Sequence, residues 1–128
     1  MKAVLCLLVV VGVVFADPDG DFASCCKDKS ISETCQPFCN YNSKSDDVVQ
    51  AFTDGKCSVE GDGPSYYQCL ENLKDNTECC KAAGVGADAD LAFCLDVCDG
   101  TKPLTPDQKY FKCKPYAEGI VSCGQKAH

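Results

Sequence analysis

Residues 22–42 read FASCCKDKSISETCQPFCNYN, and residues 76–100 read NTECCKAAGVGADADLAFCLDVCDG. Each stretch carries a vicinal cysteine pair and then a C-x3-C motif, and two single cysteines follow each of them. The first set comprises Cys25, Cys26, Cys35, Cys39, Cys57 and Cys69, and the second comprises Cys79, Cys80, Cys94, Cys98, Cys113 and Cys123. The shared order predicts two repeats, about residues 17–72 and 73–128.

Residues 1–16, MKAVLCLLVVVGVVFA, have the parts of a secretory signal peptide. Lys2 supplies the positive charge, residues 3–15 are apolar, and Val14 and Ala16 are small enough to precede a cleavage site. We therefore expect cleavage between Ala16 and Asp17, and a secreted, extracellular protein. The apolar run is shorter than the roughly 18–20 residues that cross a bilayer, so we expect the mature form to have no membrane span.

The mature chain predicted by this cleavage has 112 residues and twelve cysteines, an even number. Leu, Ile, Val and Phe make up only 18 of those residues, which is few for an ordinary hydrophobic core. Thiols pair and persist in oxidising compartments. The twelve cysteines are therefore predicted to form six disulfides that compensate for the sparse core. Which cysteines pair is left open, although we favour most bonds within a repeat. About nine strongly apolar residues per repeat also favour one shared core over two.

Short helices are predicted from capping residues and stop signals, and alternating strand patterns are absent from the sequence. Helices are expected to follow the capping residues Ser32, Ser45, Thr77 and Asp88 and to include Pro64 in a first turn. Gly55 and Gly84 are the predicted stops, and Gly124 is the predicted end of the last helix. C-x3-C would place both sulfurs on one helix face. The predicted fold is all-α, a small disulfide-stapled bundle of seven or eight short helices built from two six-cysteine repeats.

Composition argues against several functions. The mature chain carries a net charge of −8 and contains no Arg, which disfavours binding to nucleic acid. A catalytic base is most often His, and the one His is His128, the last residue, where we expect disorder. The sequence has no C-x2-C pair for zinc, and DPDGD at 17–21 lacks the rest of an EF-hand loop. We expect no catalytic residues, no metal site and no cofactor.

The cysteine pattern resembles the DB module, a twelve-cysteine extracellular domain of roundworm proteins. The resemblance spans the mature chain and rests on FASCC at 22–26, CQPFCNYN at 35–42, the single Cys57, YYQCLENLKDNTECCKAAGVG at 66–86, FCLDVCDG at 93–100 and YFKCKPYAEGIVSCG at 110–124. It implies secretion, a disulfide-stapled fold, in some proteins a position beside immunoglobulin-type domains, and no established catalytic activity. The gap before the second C-x3-C is longer here. The His that family members often have before the second cysteine pair is replaced by Asn76 or Thr77.

Three functions are compatible with this sequence. The first is a non-catalytic extracellular interaction or matrix module, whose partner would be an extracellular protein or matrix component. The second is a small carrier of lipid or another apolar ligand, although 18 strongly apolar residues must then form both core and tunnel. The third is a secreted inhibitor or effector. The tyrosines suit either core or interface, and residues 43–63 and 100–108 are the expected solvent-facing excursions for recognition.

Overall fold

The computed structural model of the protein describes residues 17–128. Within this range the chain is helical, with an isolated bridge between Asp75 and Asp99 as its only β pairing. Its elements, in order, are α1 (Pro18–Asp28), the 3-10 turn η1 (Gln36–Phe38), α2 (Ser45–Thr53), α3 (Gly63–Leu70), α4 (Thr77–Ala82), the 3-10 segments η2 (Ala89–Cys98) and η3 (Gln108–Tyr116), and α5 (Ala117–Lys126). The predicted all-α bundle is confirmed. None of the helices in this range is long and apolar enough to cross a membrane.

The two repeats close their disulfides in the same order. Among residues 17–72, hereafter the first repeat, the bonds are Cys25–Cys69, Cys26–Cys39 and Cys35–Cys57. Among residues 73–128, the second repeat, they are Cys79–Cys123, Cys80–Cys98 and Cys94–Cys113. In each repeat the first cysteine therefore bonds to the sixth, the second to the fourth and the third to the fifth. All six bonds in this part of the chain close within a repeat, as we favoured, whereas the exact limits of the repeats stay a prediction.

Each vicinal pair connects two different elements. Cys25 tethers α1 to α3, and Cys79 tethers α4 to α5, whereas the second cysteine of each pair bonds to the end of its own C-x3-C motif. Side chains of adjacent helical residues point about 100° apart, so a cysteine pair on one helix reaches two neighbours. The disulfides thus hold short helices that would be marginal alone.

Several predicted helix boundaries are confirmed. Helix α3 has Pro64 in its first turn, and the Asp88 side chain caps η2 by accepting a hydrogen bond from the Asp90 amide. Helices α2 and α4 begin at Ser45 and Thr77 themselves, one residue earlier than predicted, so these two residues are not the caps. Gly55 and Gly84 follow α2 and α4 with φ of 83° and 87°. Glycine adopts this left-handed conformation without the steric cost that a Cβ would add.

The prediction that each C-x3-C lies on one face of an α-helix is wrong. Cys35 and Cys39 flank the three-residue η1, because Pro37 lacks an amide hydrogen and the Ser32 side chain bonds to Asp62 instead of capping a helix. The second motif lies in η2, whose backbone is kinked at Leu91.

One cluster of buried residues spans both repeats, so the expectation of a shared core is confirmed. Ring contacts run from Phe22 on α1 to Tyr66 on α3, on to Phe52 on α2, and then across to Phe111 on η3, with centroids 5.3–6.0 Å apart. Ten of the twelve cysteines in the described chain are buried, and the partly exposed ones are Cys25 and Cys79. Half-cystines therefore fill much of the volume that Leu, Ile and Val occupy in larger domains.

Candidate binding site

An apolar cleft of about 70 Å³ lies where the two repeats meet. Helices α2 and α3 of the first repeat form one side, and η3 and α5 of the second repeat form the other. Its apolar lining comprises Val48, Val49, Tyr66, Tyr67, Leu70, Val97, Tyr110, Phe111, Ala117, Ile120 and Val121. The cleft exists only because the repeats pack against each other, since neither encloses it alone.

The polarity of the cleft changes with depth. Tyr66, Leu70 and Ile120 are buried and form its floor. Its polar lining residues, Asn40, Ser43, Ser45 and Lys114, are all more exposed than these. A molecule in the cleft would therefore meet apolar surface inside and hydrogen-bonding groups at the rim.

An ion pair joins the two repeats at this rim. The Lys114 ammonium on η3 contacts the Asp46 carboxylate in the first turn of α2. Half of the Lys114 side chain and 71% of the Asp46 side chain are exposed, so the pair adds little stability. It does neutralise Lys114, the one cation among the residues that line the cleft.

A smaller cavity of about 20 Å³ lies on the far side of an aromatic wall. Tyr67, Tyr110 and Phe111 line both spaces. The smaller cavity is covered by residues 104–107, part of the connection between η2 and η3. Residues 100–108 are mostly exposed, as predicted, but Leu104 packs against the core.

The tyrosines fall into two groups. Within residues 17–128, the hydroxyls of Tyr41, Tyr66, Tyr110 and Tyr116 each make a hydrogen bond to another residue, and the Tyr67 hydroxyl makes none. Tyr67 lines the cleft, and burial raises its pKa to about 12. Its hydroxyl is therefore protonated at neutral pH and can serve the cleft as a hydrogen-bond donor or acceptor.

The predicted disorder of His128 is wrong. Its imidazole is 1% exposed, with Nδ1 2.9 Å from an Asp21 oxygen and Nε2 2.7 Å from the Tyr41 hydroxyl. Helix α5 continues beyond Gly124 to Lys126 and brings the following residues back against α1. The Tyr41 hydroxyl also donates to the Leu70 carbonyl at 2.7 Å, so it links His128 to the end of α3, and burial raises the pKa of Tyr41.

Residues 43–63 are less exposed than predicted. They include α2, whose Ala51 and Phe52 are buried. The Asp62 carboxylate is 2% exposed and accepts hydrogen bonds from the Ser32 and Ser58 amides. This segment therefore belongs to the packed frame, with Val48 and Val49 facing the cleft. The prediction that it is a solvent-facing excursion is confirmed only in part, because about half of its residues are exposed whereas Phe52 packs against Phe111 of the second repeat.

The other predicted sites are placed as follows. All twelve predicted half-cystines are bonded, as described above. Asp17 caps α1 by accepting a hydrogen bond from the Gly20 amide at 3.1 Å. Ala16 lies outside the described residues, so the cleavage site stays a prediction. The cleft was not predicted from the sequence. The signal that could have indicated it is the pair of aromatic clusters in YYQCL at 66–70 and KYFKC at 109–113.

Comparison with known families agrees with this architecture. The family model described as "DB module" matches residues 25–124, from the first half-cystine to the residue after the last. The chain belongs to the DB module family. With its six disulfides, this membership indicates an extracellular domain.

Two curated relatives of this DB module come from Caenorhabditis elegans. They are named Ig-like and fibronectin type-III domain-containing protein 1 and protein 2. Each is 28% identical over 104 residues, which is 81% of this chain. The matched region spans only 9% of the first relative and 6% of the second. No solved structure matches the chain.

Proposed function

We propose that this DB module is a non-catalytic extracellular interaction module, secreted after cleavage between Ala16 and Asp17. The observation that carries the proposal is the pair of relatives, in which the matched region is a small part of much longer chains named for Ig-like and fibronectin type-III domains. A unit of this kind presents a surface to other domains or to matrix components.

The structure supports this proposal through rigidity. Each repeat is closed by three disulfides, and the two are joined by one core, so surface groups are held in fixed positions. Pre-organised surfaces lose less conformational entropy on binding than flexible ones do. The net charge of −8 also favours partners with positively charged surfaces.

The test is cross-linking of biotinylated residues 17–128 in the extracellular fluid into which the protein is secreted. The expected result is one partner, captured in a saturable way and lost at high salt. The matched control is the same chain reduced and alkylated, which has the same composition without the fold. Equal capture by both forms, or capture by neither, would contradict the interaction function.

A second function, carriage of a small apolar ligand, is favoured by the cleft between the repeats. Its volume of about 70 Å³ is well below the roughly 300–1,000 Å³ of typical ligand pockets. A long lipid chain would not fit inside, so a carrier with this cleft would transport only compact molecules. Native mass spectrometry of the unreduced protein distinguishes the two functions. Added mass that organic solvent removes would support a carrier, whereas the bare mass of residues 17–128 with twelve oxidised thiols supports an interaction module.

A further inference from the structure

We propose that Glu71 accelerates closure of the Cys80–Cys98 disulfide during oxidative folding, by accepting a proton from the attacking thiol and passing it to the departing one. Glu71 follows α3 of the first repeat, whereas both cysteines belong to the second repeat. One repeat thus assists a bond of the other. The role is complete in each chain once it has folded, so it is separate from the interaction and carrier functions.

The three side chains form a closed cluster where the repeats meet. A carboxylate oxygen of Glu71 and the Sγ atoms of Cys80 and Cys98 all lie within 4.8 Å of one another, and all three residues are fully buried. Within residues 17–128, this is the one disulfide with a carboxylate oxygen so close to both sulfurs. Hydrogen bonds between proton-transfer groups are often longer before reaction than during it, so this range permits transfer.

The folded state does not need the acidity of Glu71. Asn76 donates to Oε1 at 2.9 Å, a hydrogen bond that a glutamine oxygen would accept equally well. Oε2 is buried without a hydrogen-bond partner, and Glu71 forms no salt bridge among the described residues. A buried carboxyl with so few partners lowers stability when it is ionised. A redox role is one physical reason for a protein to keep such a group.

The proton affinity of Glu71 matches that of a thiol. Burial raises the pKa of Glu71 to about 8, and the pKa of a free cysteine is about 8.5. Transfer of a proton from the thiol to the carboxylate is therefore nearly balanced in free energy. A base with a pKa close to the working pH is the most efficient proton acceptor, and near neutral pH Glu71 meets this condition.

The other groups around Glu71 leave this exchange undisturbed. Tyr41 faces the carboxyl, but its hydroxyl donates to a backbone carbonyl at the end of α3 and burial raises its pKa, so it is uncharged. Helix α4 contributes the Asn76 amide at its N-terminus, α5 contributes Gly124, and the segment after η2 contributes Gly100. None of these three titrates. The pH dependence of the step therefore reports the carboxyl and the two thiols.

The step is a thiol–disulfide exchange with a small disulfide, R–S–S–R, as the oxidant. This disulfide first reacts with the Cys80 thiol, which gives a mixed disulfide and one R–SH. The Glu71 carboxylate then accepts the Cys98 proton, and the Cys98 thiolate attacks Cys80 Sγ. The bond from Cys80 to R–S breaks as the Cys80–Cys98 bond forms, and the departing R–S⁻ takes the proton from Glu71 as a second R–SH. The two cysteines are oxidised, the small disulfide is reduced, and the same balance holds with the cysteines exchanged.

The experiment is refolding of reduced residues 17–128 in oxidised and reduced glutathione at pH 7 and pH 9. Samples are alkylated during refolding and digested with trypsin without reduction. Mass spectrometry then follows the linkage of residues 75–81 to 82–109, which reports Cys80–Cys98, and of residues 17–27 to 30–44, which reports Cys26–Cys39. Cys26–Cys39 is the internal control, because it is the corresponding bond of the first repeat and has no such carboxyl.

The Glu71→Gln variant removes the proton acceptor and keeps the size of the side chain. At pH 7 we expect Cys80–Cys98 to close about tenfold more slowly in this variant than in the wild type, since only a few per cent of an unassisted thiol is ionised. At pH 9 the two rates should converge, and Cys26–Cys39 should close at the wild-type rate throughout. Glu78→Gln is the matched control, because Glu78 is 91% exposed beside the same cysteine pair, and it should behave as the wild type.

Equal rates of Cys80–Cys98 closure in the wild type and Glu71→Gln at pH 7 would overturn the proposal. Slowing by the same factor at both pH values, or equal slowing of Cys26–Cys39, would also overturn it, because either result indicates a purely structural effect. If Glu71→Gln fails to fold, the wild type alone decides. Its rate of Cys80–Cys98 closure relative to Cys26–Cys39 should fall about tenfold from pH 7 to pH 9, and a constant ratio would contradict the role of Glu71.

Discussion

At the scale of single residues, Glu71 is the least expected feature of the molecule. It follows α3 and is fully buried. The Asn76 amide donates to its Oε1 at 2.9 Å, whereas Oε2 is the one buried side-chain polar atom in residues 17–128 without a hydrogen-bond partner. Loss of solvation raises the pKa of Glu71 to about 8, and the Asn76 hydrogen bond opposes this only in part.

This pKa makes stability depend on pH. The folded state favours the protonated carboxyl of Glu71. The contribution of this group to the free energy of unfolding is therefore fully present below its unfolded pKa of about 4.5 and is lost as the pH rises to about 8. We expect the free energy of unfolding to fall by about 1 kcal/mol per pH unit across that interval. Denaturant titration of the oxidised protein at several pH values measures this slope.

The Glu71→Gln variant isolates the effect. Glutamine keeps the size and the acceptor for Asn76 but does not titrate, so the slope between about pH 5 and 8 should nearly vanish. Glu78→Gln is the control, because the Glu78 side chain is 91% exposed and should leave the slope unchanged. Parallel pH profiles for the wild type and Glu71→Gln would show that Glu71 titrates normally in the folded protein.

At the scale of the elements, α5 packs tightly against the end of α3 at Gly124. A Cβ added to Gly124 would lie 2.1 Å from the Leu70 carbonyl oxygen and 3.2 Å from Glu71 Oε2. We predicted Gly124 as the end of the last helix, but α5 runs through it to Lys126. The glycine serves close packing here and not helix termination.

Gly124→Ala should therefore be strongly destabilising, although alanine is the better helix former. The clash is with backbone and cannot be relieved by a rotamer change, so we expect a loss of about 3 kcal/mol or failure to fold oxidatively. Ser122→Ala, two residues earlier on the same helix, is the control and should be nearly neutral. Thermal unfolding without reductant measures both. Wild-type stability in Gly124→Ala would mean that α5 can move away from Leu70.

At the scale of the whole molecule, two features act on unfolding in opposite ways. The duplicated disulfide pattern would allow each repeat to unfold separately, whereas the single core couples the unfolding of the two repeats. The bonds Cys25–Cys69 and Cys79–Cys123 each join cysteines 44 positions apart, so loop-entropy arguments assign them equal stabilisation of about 4 kcal/mol. The shared core, which runs through Phe22, Phe52 and Phe111, couples the repeats.

Removing either long disulfide should therefore lower the stability of both repeats together, because they share one core. We expect the double variants Cys25→Ala/Cys69→Ala and Cys79→Ala/Cys123→Ala to lose similar stability and to keep one unfolding transition. Calorimetry of the oxidised proteins checks this, and peptide mapping without reduction checks the remaining five bonds. Two separate transitions in either variant would show that each repeat folds on its own.

Much of the fold could be predicted from local patterns. Cysteine order identified the repeats, and capping residues such as Asp88, with glycines such as Gly84, placed several helix boundaries, because these signals act between residues close in sequence. The α-helices at the C-x3-C motifs were predicted wrongly. Ser32 does not cap the first of them, because its hydroxyl donates a hydrogen bond to the Asp62 carboxylate, 30 residues away. His128 was predicted wrongly for the same reason, because its partners Asp21 and Tyr41 are distant in sequence.

The sequence by itself determined that this is a disulfide-rich, all-α member of the DB module family with two six-cysteine repeats. Only the tertiary structure decided the cysteine pairing, the burial of Glu71 and the cleft beside Tyr67. The physical reason is range: caps, turns and cysteine spacing act over a few residues. The cleft arises from shape mismatch between two surfaces, and the environments of Glu71 and Tyr67 are set by residues that only folding brings near them.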